Sequence, residues 1–219
     1  MDDNRTPAAA DLDEPIGDPR AMLALLESQQ REVLNAQQAP VIWMYFIWGI
    51  TWFVGFLALW SGDADGNPWF TIPAYVATPV FIVMLVASIV ASAVLGIRIN
   101  RGVRGASVFS GAVYGISWSA CGTAFAVLGT GLISQGLSPE LANLYFPAAY
   151  ALMCGTIYLG GAALWRDVSQ LVLGLVLLAV GAASAFAGSP GNDLVLAIGV
   201  GGAFLIAAAA LTVRRRQGR

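Results

Sequence analysis

Two similar pentapeptides place aromatic rings beside glycine and hydroxyl-bearing residues: WGITW at 48–52 and YGISW at 114–118. Their aromatic residues are Trp48, Trp52, Tyr114 and Trp118. Rings that line a pocket can hold an apolar solute, or a cation through its attraction to the ring faces. The same rings can instead fill a core and donate N–H or O–H groups to neighbouring hydroxyls. The sequence thus offers an aromatic-lined cavity as one interpretation and helix packing as the other.

Charged residues cluster between the apolar segments and offer a second candidate site. They are Arg98, Arg101, Arg104, Arg166 and Asp167. We interpret Arg166 and Asp167 as a short turn in which Asp167 pairs with Arg101 or Arg104. The alternative is a gate or a docking point at the membrane rim.

Other chemistry is limited by the residue types that the chain lacks. It has no histidine, which removes Ser–His and Cys–His catalysis and histidine metal sites. Cys121 and Cys154 both lie in apolar segments and are expected to behave as small hydrophobic residues, with a disulfide as a minor alternative. We therefore expect no catalytic residue, no metal, no cofactor and no enzyme.

The composition is that of a membrane protein. Of 219 residues, 58% are hydrophobic and only 11% are charged, against about a quarter charged in a typical soluble domain. Beyond Pro40, apolar segments follow that are long enough to cross a bilayer as helices, which takes about 20 residues each. We predict an all-α fold with six transmembrane helices: Pro40–Trp60, Thr71–Ile97, Ala106–Ile133, Asn143–Trp165, Val168–Ala187 and Leu194–Val213.

The arginines predict how these helices are threaded. All eleven cations are arginines, and every one lies before the first span, after the last, or in the loops 98–105 and 166–167. By the positive-inside rule, both termini are cytoplasmic. We expect a multi-pass protein of a bacterial cytoplasmic (inner) membrane. The chain shows no basis for nucleic-acid binding.

The spans form three helical hairpins, and the pentapeptides suggest that one two-span unit is repeated; coincidence is the alternative. In the third span, Gly111, Gly115, Ser119 and Gly122 lie on one helical face. Small residues at this spacing let helices approach closely in lipid. We expect tight packing within the chain, with an oligomer interface as the alternative.

Four regions are predicted. Residues 1–17 form an acidic disordered tail, 18–39 a cytoplasmic amphipathic helix, 40–213 the transmembrane domain, and 214–219 a basic tail. In the helix, Leu23, Leu26, Gln30 and Val33 share a face. That face lies on the membrane or the bundle, or binds a membrane or cytoplasmic protein partner.

Five segments together resemble a group of small six-span membrane proteins from GC-rich bacteria. They are ALLESQQREV, WGITWFVGFLAL, IRINRGVRG, YGISW and ALWRDVSQLVLG, and the likeness covers roughly residues 21–213. Such proteins are loosely labelled transporters or permeases, which implies transport but carries over no catalytic residue.

Two functions remain on these grounds. The first is a non-enzymatic membrane subunit, scaffold or sensor that acts through a partner, which small-residue packing and the scarcity of charge within the spans favour. The second is a small permease-like transporter of an apolar or weakly polar solute, which the labels of the similar proteins favour.

Overall fold

The chain is helical throughout the part that the structure describes. The computed structural model describes residues 19–100 and 106–217, and no strand occurs among them. Two compact units are distinguished, Met1–Gln38 and Ala39–Arg219. The helices are α1 (Pro19–Gly62), α2 (Ala74–Asn100), α3 (Ala106–Ser134), α4 (Pro139–Trp165), α5 (Val168–Ser184), α6 (Gly191–Leu196) and α7 (Gly202–Gln217).

Six helical segments are long and apolar enough to cross a membrane. They are Ala39–Gly62, Ala74–Arg98, Val108–Ser134, Pro139–Trp165, Val168–Ala187 and Gly191–Gln217, with mean hydropathies between 1.3 and 2.8. The sixth combines α6, a π-helical turn at Ala197–Gly201, and α7. The prediction of an all-α membrane fold with six spans is therefore confirmed.

The sixth span begins earlier than predicted. We predicted a sixth span from Leu194, but α6 begins at Gly191, directly after Pro190. Asp193 consequently lies in the first turn of a spanning helix. The span begins early because helical geometry starts as soon as the proline has been passed.

The start of α4 follows the local chemistry of its sequence. The Ser138 hydroxyl accepts a hydrogen bond from the Leu141 amide at 3.3 Å, and Pro139 occupies the first helical position. A serine cap followed by proline is a typical helix start. The helix therefore begins four residues before the span predicted from Asn143.

The core lies between α1, α4, α5 and the sixth span. Its most completely buried large side chains include Leu177 of α5 and Leu196, Val200 and Phe204 of the sixth span, all at most 2% exposed. By contrast, α2 and α3 lie at the periphery and expose most of their apolar residues. Such exposure is normal for a bilayer protein, because lipid tails are as apolar as the side chains that meet them.

Glycines set the closest approach between α4 and α5. A Cβ atom on Gly155 would lie 2.8 Å from the Gly174 carbonyl oxygen, and one on Gly181 would lie 2.9 Å from the Cβ of Ala151. Neither distance is possible for a real side chain without movement. The backbones of α4 and α5 therefore meet directly, although the two helices belong to different predicted hairpins.

The two pentapeptides occupy unequal positions, so the packing does not follow a two-span repeat. A Cβ on Gly49 would lie 2.8 Å from Leu205 of α7, whereas one on Gly115 would have no atom within 4 Å. In the first hairpin the inner helix is α1, and in the second it is the return helix α4. Similar sequence therefore does not give an equivalent environment here.

Within the unit Met1–Gln38, the described residues are helical from Pro19 onward. Met22, Leu23 and Leu25 are 57–60% exposed. The predicted disordered tail and the side chains of Leu26, Gln30 and Val33 lie outside what is described. These three apolar side chains are exposed near the start of α1.

Candidate functional site

The two tryptophans of the first pentapeptide pack within the bundle. Trp48 donates its indole N–H to the Ser92 hydroxyl of α2 at 2.8 Å. Trp52 is only 6% exposed and stacks on Phe56, with ring centroids 5.0 Å apart. Both side chains are thus committed to neighbours in α1 and α2.

A second polar contact joins α1 and α2 at the same level. The hydroxyls of Thr51 and Ser88 lie 2.5 Å apart, and both residues are buried. A hydrogen bond between helices in lipid contributes on average about 0.6 kcal/mol in measured cases. Ser88 and Ser92 of α2 therefore act as hydrogen-bonding partners of α1.

The aromatic residues of the second pentapeptide belong to a different group of rings. Tyr114 packs edge-on against Trp118 and against Trp165 of α4, with centroids 6.0 and 4.8 Å apart. Trp118 packs edge-on against Tyr158 of α4 at 5.6 Å. Edge-to-face pairs at these distances are favourable beyond the area they bury.

The ring contacts continue from α4 into α1 and α7. Tyr45, Tyr158 and Phe204 form a triangle with centroids 5.8–6.0 Å apart. We call these residues the aromatic cluster: Tyr45, Tyr114, Trp118, Tyr158, Trp165 and Phe204. It joins four helices near the end of the bundle that carries Arg98, Arg166 and Arg214–Arg216, here called the arginine end.

The four rings predicted to line a cavity are packed against neighbouring side chains. Trp48 and Trp52 contact α2 and Phe56, whereas Tyr114 and Trp118 contact α4. The four were grouped because the pentapeptides match, but α1 lies in the core and α3 at the edge. The rings consequently face different neighbours and act in packing.

Two open grooves among the described residues face the lipid and contain none of the four. One, of about 540 Å³, lies between α5 and the sixth span and is lined by Val180, Val195, Ile198 and other apolar residues. The other, of about 360 Å³, lies between α1 and α2, with Thr51 and Ser88 in its lining. Neither groove is an enclosed path through the bundle.

The α4–α5 turn is built from Arg166 and Asp167. Arg166 adopts a left-handed backbone with φ 53° and ψ 41°, and the amide of Asp167 bonds to the Ala162 carbonyl at 3.2 Å. This geometry ends α4, although glycine is the usual residue there. Arg166 is exposed.

Asp167 caps α5 and receives several hydrogen bonds. The Ser169 amide and hydroxyl donate to it at 2.8 and 2.6 Å, and the Gln170 side-chain amide donates at 3.2 Å. Burial alone would raise the pKa of Asp167, but the hydrogen bonds from Ser169 and Gln170 outweigh it and hold the pKa below its ordinary value. The carboxylate therefore stays ionised at neutral pH.

The predicted rim charges are only partly described. Arg98 lies in the last turn of α2, where a cation complements the helix dipole. Arg101 and Arg104 lie outside the described residues, so their pairing with Asp167 stays a prediction. What the structure does give is a turn, Arg166–Asp167, as expected.

The predicted packing face of α3 is not used for tight contact within the chain at its centre. Gly115 and Ser119 are exposed, Gly111 is half-buried, and a Cβ on Gly122 would lie 3.9 Å from Tyr150. Tyr150 also donates its hydroxyl to the Gly122 carbonyl at 3.1 Å. The expectation of close packing fails at Gly115 and Ser119 because α3 meets its neighbour through its aromatic side chains.

The structure brings together polar groups that sequence analysis missed. Tyr45 is 3% exposed, and its hydroxyl forms no hydrogen bond with the described residues; the same holds for the buried Oε1 atom of Gln170. Sequence analysis assigned no role to Tyr45, and Gln170 occurs there only within the segment ALWRDVSQLVLG. Only the fold shows that the Tyr45 side chain and the Oε1 atom of Gln170 are buried.

The two cysteines are free thiols, with Cys154 buried and Cys121 half-buried. No protein-family model, no curated protein and no solved structure matches the chain. The class that the fold defines is thus a six-span α-helical membrane protein, and its activity is a matter for proposal.

Proposed function

We propose that the protein is a non-enzymatic membrane subunit, scaffold or sensor that acts through a protein partner. The observation that carries this proposal is the engagement of Trp48, Trp52, Tyr114 and Trp118 in helix packing. A transporter needs a path for its solute. The rings best suited to line such a path are instead packed against neighbouring side chains.

The partner surface in this proposal is the start of α1. Met22, Leu23 and Leu25 are exposed within four residues of one another. The surrounding tail is acidic, with eight of the thirteen acids in residues 1–39. An acidic helix is repelled by anionic lipid head groups, which favours a protein partner over the membrane surface.

The location in this proposal is a bacterial cytoplasmic membrane with both termini inside, in a member of the six-span group described above. The arginine distribution supports the orientation. Anionic lipid attracts arginines close to the surface by about 1 kcal/mol each.

A small permease is the second candidate. Its support is the aromatic cluster, which lies beside polar groups of the α4–α5 turn and could accept a weakly polar solute if the bundle opened. A homo-oligomer through the exposed small residues of α3 is compatible with either candidate.

The test is native mass spectrometry on protein extracted gently from its own membrane. We expect a stoichiometric protein partner that is lost when Met22, Leu23 and Leu25 are all replaced by glutamine. Deleting residues 2–17 is the matched control, because it removes the acidic tail and leaves Met22, Leu23 and Leu25 in place; the partner should be retained.

A different result would favour the permease. A small-molecule adduct that survives the glutamine substitutions and disappears in Trp118→Ala contradicts the subunit proposal. A chain that elutes with neither a partner nor an adduct contradicts both.

A further inference from the structure

Three buried polar atoms at the arginine end lack hydrogen-bond partners among the described residues, and one of them is the donor Nε of Arg215. The other two are oxygens. They are the hydroxyl of Tyr45, whose side chain is 97% buried, and Oε1 of Gln170. Polar groups withdrawn from water are nearly always hydrogen-bonded, since leaving one unpaired costs free energy. Each exception of this kind needs an explanation.

The two oxygens belong to one neighbourhood. Tyr45 lies within electrostatic range of Asp167 and faces Ser169 without a hydrogen bond of normal geometry. Gln170 Oε1 lies against Gly161, at the point where a Cβ would collide with it, and Tyr114 Cε2 lies 3.0 Å from that same point. Side chains from α1, α3 and the α4–α5 turn therefore converge.

The orientation of the Gln170 side-chain amide leaves its oxygen, and not its nitrogen, without a hydrogen-bond partner. The Nε2 atom donates to Asp167 Oδ2 at 3.2 Å, and a carboxylate can only accept. The opposite orientation would set two acceptors against each other. The side chain consequently presents an acceptor, and the Asp167 carboxylate adds negative charge nearby.

Aromatic rings complete the surroundings. Tyr45 and Tyr114 both belong to the aromatic cluster, whose other members include Trp118, Tyr158 and Trp165. The faces of such rings attract cations, and the attraction grows when water is excluded. Acceptor oxygens, one carboxylate and several rings together suit a cation that also carries hydrogen-bond donors.

We infer that Tyr45, Gln170 and Asp167 bind a primary ammonium group at the arginine end of the bundle. Its three N–H donors match the Tyr45 hydroxyl, Gln170 Oε1 and the Asp167 carboxylate. A quaternary ammonium has no donor and would leave the first two unpaired. Asp167 and Ser169 are only half-buried, so the group enters from the bundle end.

This inference does not depend on the proposed function, because a subunit or a permease could carry such a site equally well. The ammonium has two possible sources, the headgroup of phosphatidylethanolamine and a free amine. The chemistry recognised is the same in both cases, and the experiment separates them.

The experiment uses the full chain reconstituted in two kinds of bilayer. In the first arm, nanodiscs contain equal amounts of phosphatidylethanolamine and phosphatidylcholine, and native mass spectrometry measures which lipid stays bound. In the second arm, free ethanolamine is titrated onto protein in phosphatidylcholine nanodiscs, and calorimetry measures binding. Preferential retention of phosphatidylethanolamine in the first arm, without ethanolamine binding in the second, identifies the lipid headgroup as the ligand. Binding of ethanolamine in the second arm identifies a free amine.

Two substitutions test the residues. Tyr45→Phe removes one hydroxyl and keeps the ring, and Gln170→Met removes the acceptor at similar volume. Each should weaken ammonium binding about tenfold, since a hydrogen bond to a charged group is lost. Tyr75→Phe is the matched control, because Tyr75 is 80% exposed near the opposite end of the bundle; its binding should equal that of the unaltered chain.

Three results would overturn the inference. The first is equal retention of both lipids together with no binding of ethanolamine. The second is a preference that Tyr45→Phe and Gln170→Met leave unchanged although both variants melt like the unaltered chain. The third is ammonium binding that is absent in the unaltered chain and arises only when Arg101 and Arg104 are replaced by glutamine. That result would mean that a guanidinium of the chain itself holds these acceptors in the unaltered protein. If Tyr45→Phe does not fold, Gln170→Met carries the test.

Discussion

Arg166 shows how one residue can hold a tight connection at an energetic cost. Its left-handed backbone lets α4 stop and α5 begin within two residues. A residue with a Cβ atom is disfavoured in this region by roughly 1–2 kcal/mol relative to an unstrained conformation.

Replacing Arg166 by glycine should stabilise the fold. We expect Arg166→Gly to raise the free energy of unfolding by up to about 1 kcal/mol, because glycine adopts positive φ without a steric penalty. Arg166→Ala keeps the Cβ and should bring no such gain. Reversible unfolding in detergent micelles measures both, and an equal response of the two variants would argue against backbone strain at this turn.

At the level of helices, the contact between α4 and α5 depends on glycines. Gly155 and Gly160 lie in the same helix but differ in surroundings: a Cβ on Gly155 meets the Gly174 carbonyl oxygen at 2.8 Å, and one on Gly160 meets nothing within 4 Å. One added methyl group thus distinguishes a packed position from a lipid-facing one.

Gly155→Ala should therefore destabilise the bundle while Gly160→Ala should not. We expect a loss of about 1–3 kcal/mol at Gly155, the usual cost of overpacking, since backbone atoms must move. At Gly160 the change should be neutral or slightly favourable, because alanine is the better helix former. Unfolding by steric trapping or by detergent titration compares them; similar losses at both positions would contradict the assigned contact.

How far the sequence could predict this arrangement differs from feature to feature. The fifth span was predicted at Val168–Ala187 and lies there, because a span depends only on the length and hydropathy of its own residues. Helix neighbours depend on long-range contacts. Glycine looks the same in sequence whether it meets a helix, as Gly155 does, or lipid, as Gly115 does.

The candidate site was less predictable than the fold for the same reason. The aromatics of the two pentapeptides could be singled out from the sequence as candidates for a cavity or for packing, but which residues they meet depends on the other helices. Tyr45 and Gln170 carry no local signal at all. The burial of the Tyr45 side chain and of the Gln170 Oε1 atom arises only once the helices have been brought together.

For the molecule as a whole, the charges divide its two ends. Among the described residues of the unit Ala39–Arg219, the arginines lie at one end of the bundle, and Asp63, Asp65, Glu140 and Asp193 lie at the other. The positive-inside rule then predicts that the arginine end faces the cytoplasm. The opposite end would face outward.

Cysteine labelling on intact cells tests this orientation. Asp65→Cys and Arg166→Cys each place a thiol at an exposed position, one at each end. A membrane-impermeant maleimide should label Asp65→Cys directly and Arg166→Cys only after permeabilisation. The unaltered chain is the control for Cys121 and Cys154, and the reverse labelling pattern would contradict the predicted orientation.

The contacts between the first and sixth spans govern when the core can be completed during synthesis. Gly49 meets Leu205, and a Cβ on Gly201 would lie 2.6 Å from the backbone of Phe53. Ribosomes extend a chain by about 5–20 residues per second, so α1 waits in the bilayer for several seconds before its partner emerges. During that interval α2 and α4 can already pack against Trp48 and Tyr45, whereas the surface of α1 around Gly49 and Phe53 lacks its partner. A stalled or shortened chain without its sixth span would therefore keep this part of α1 uncovered.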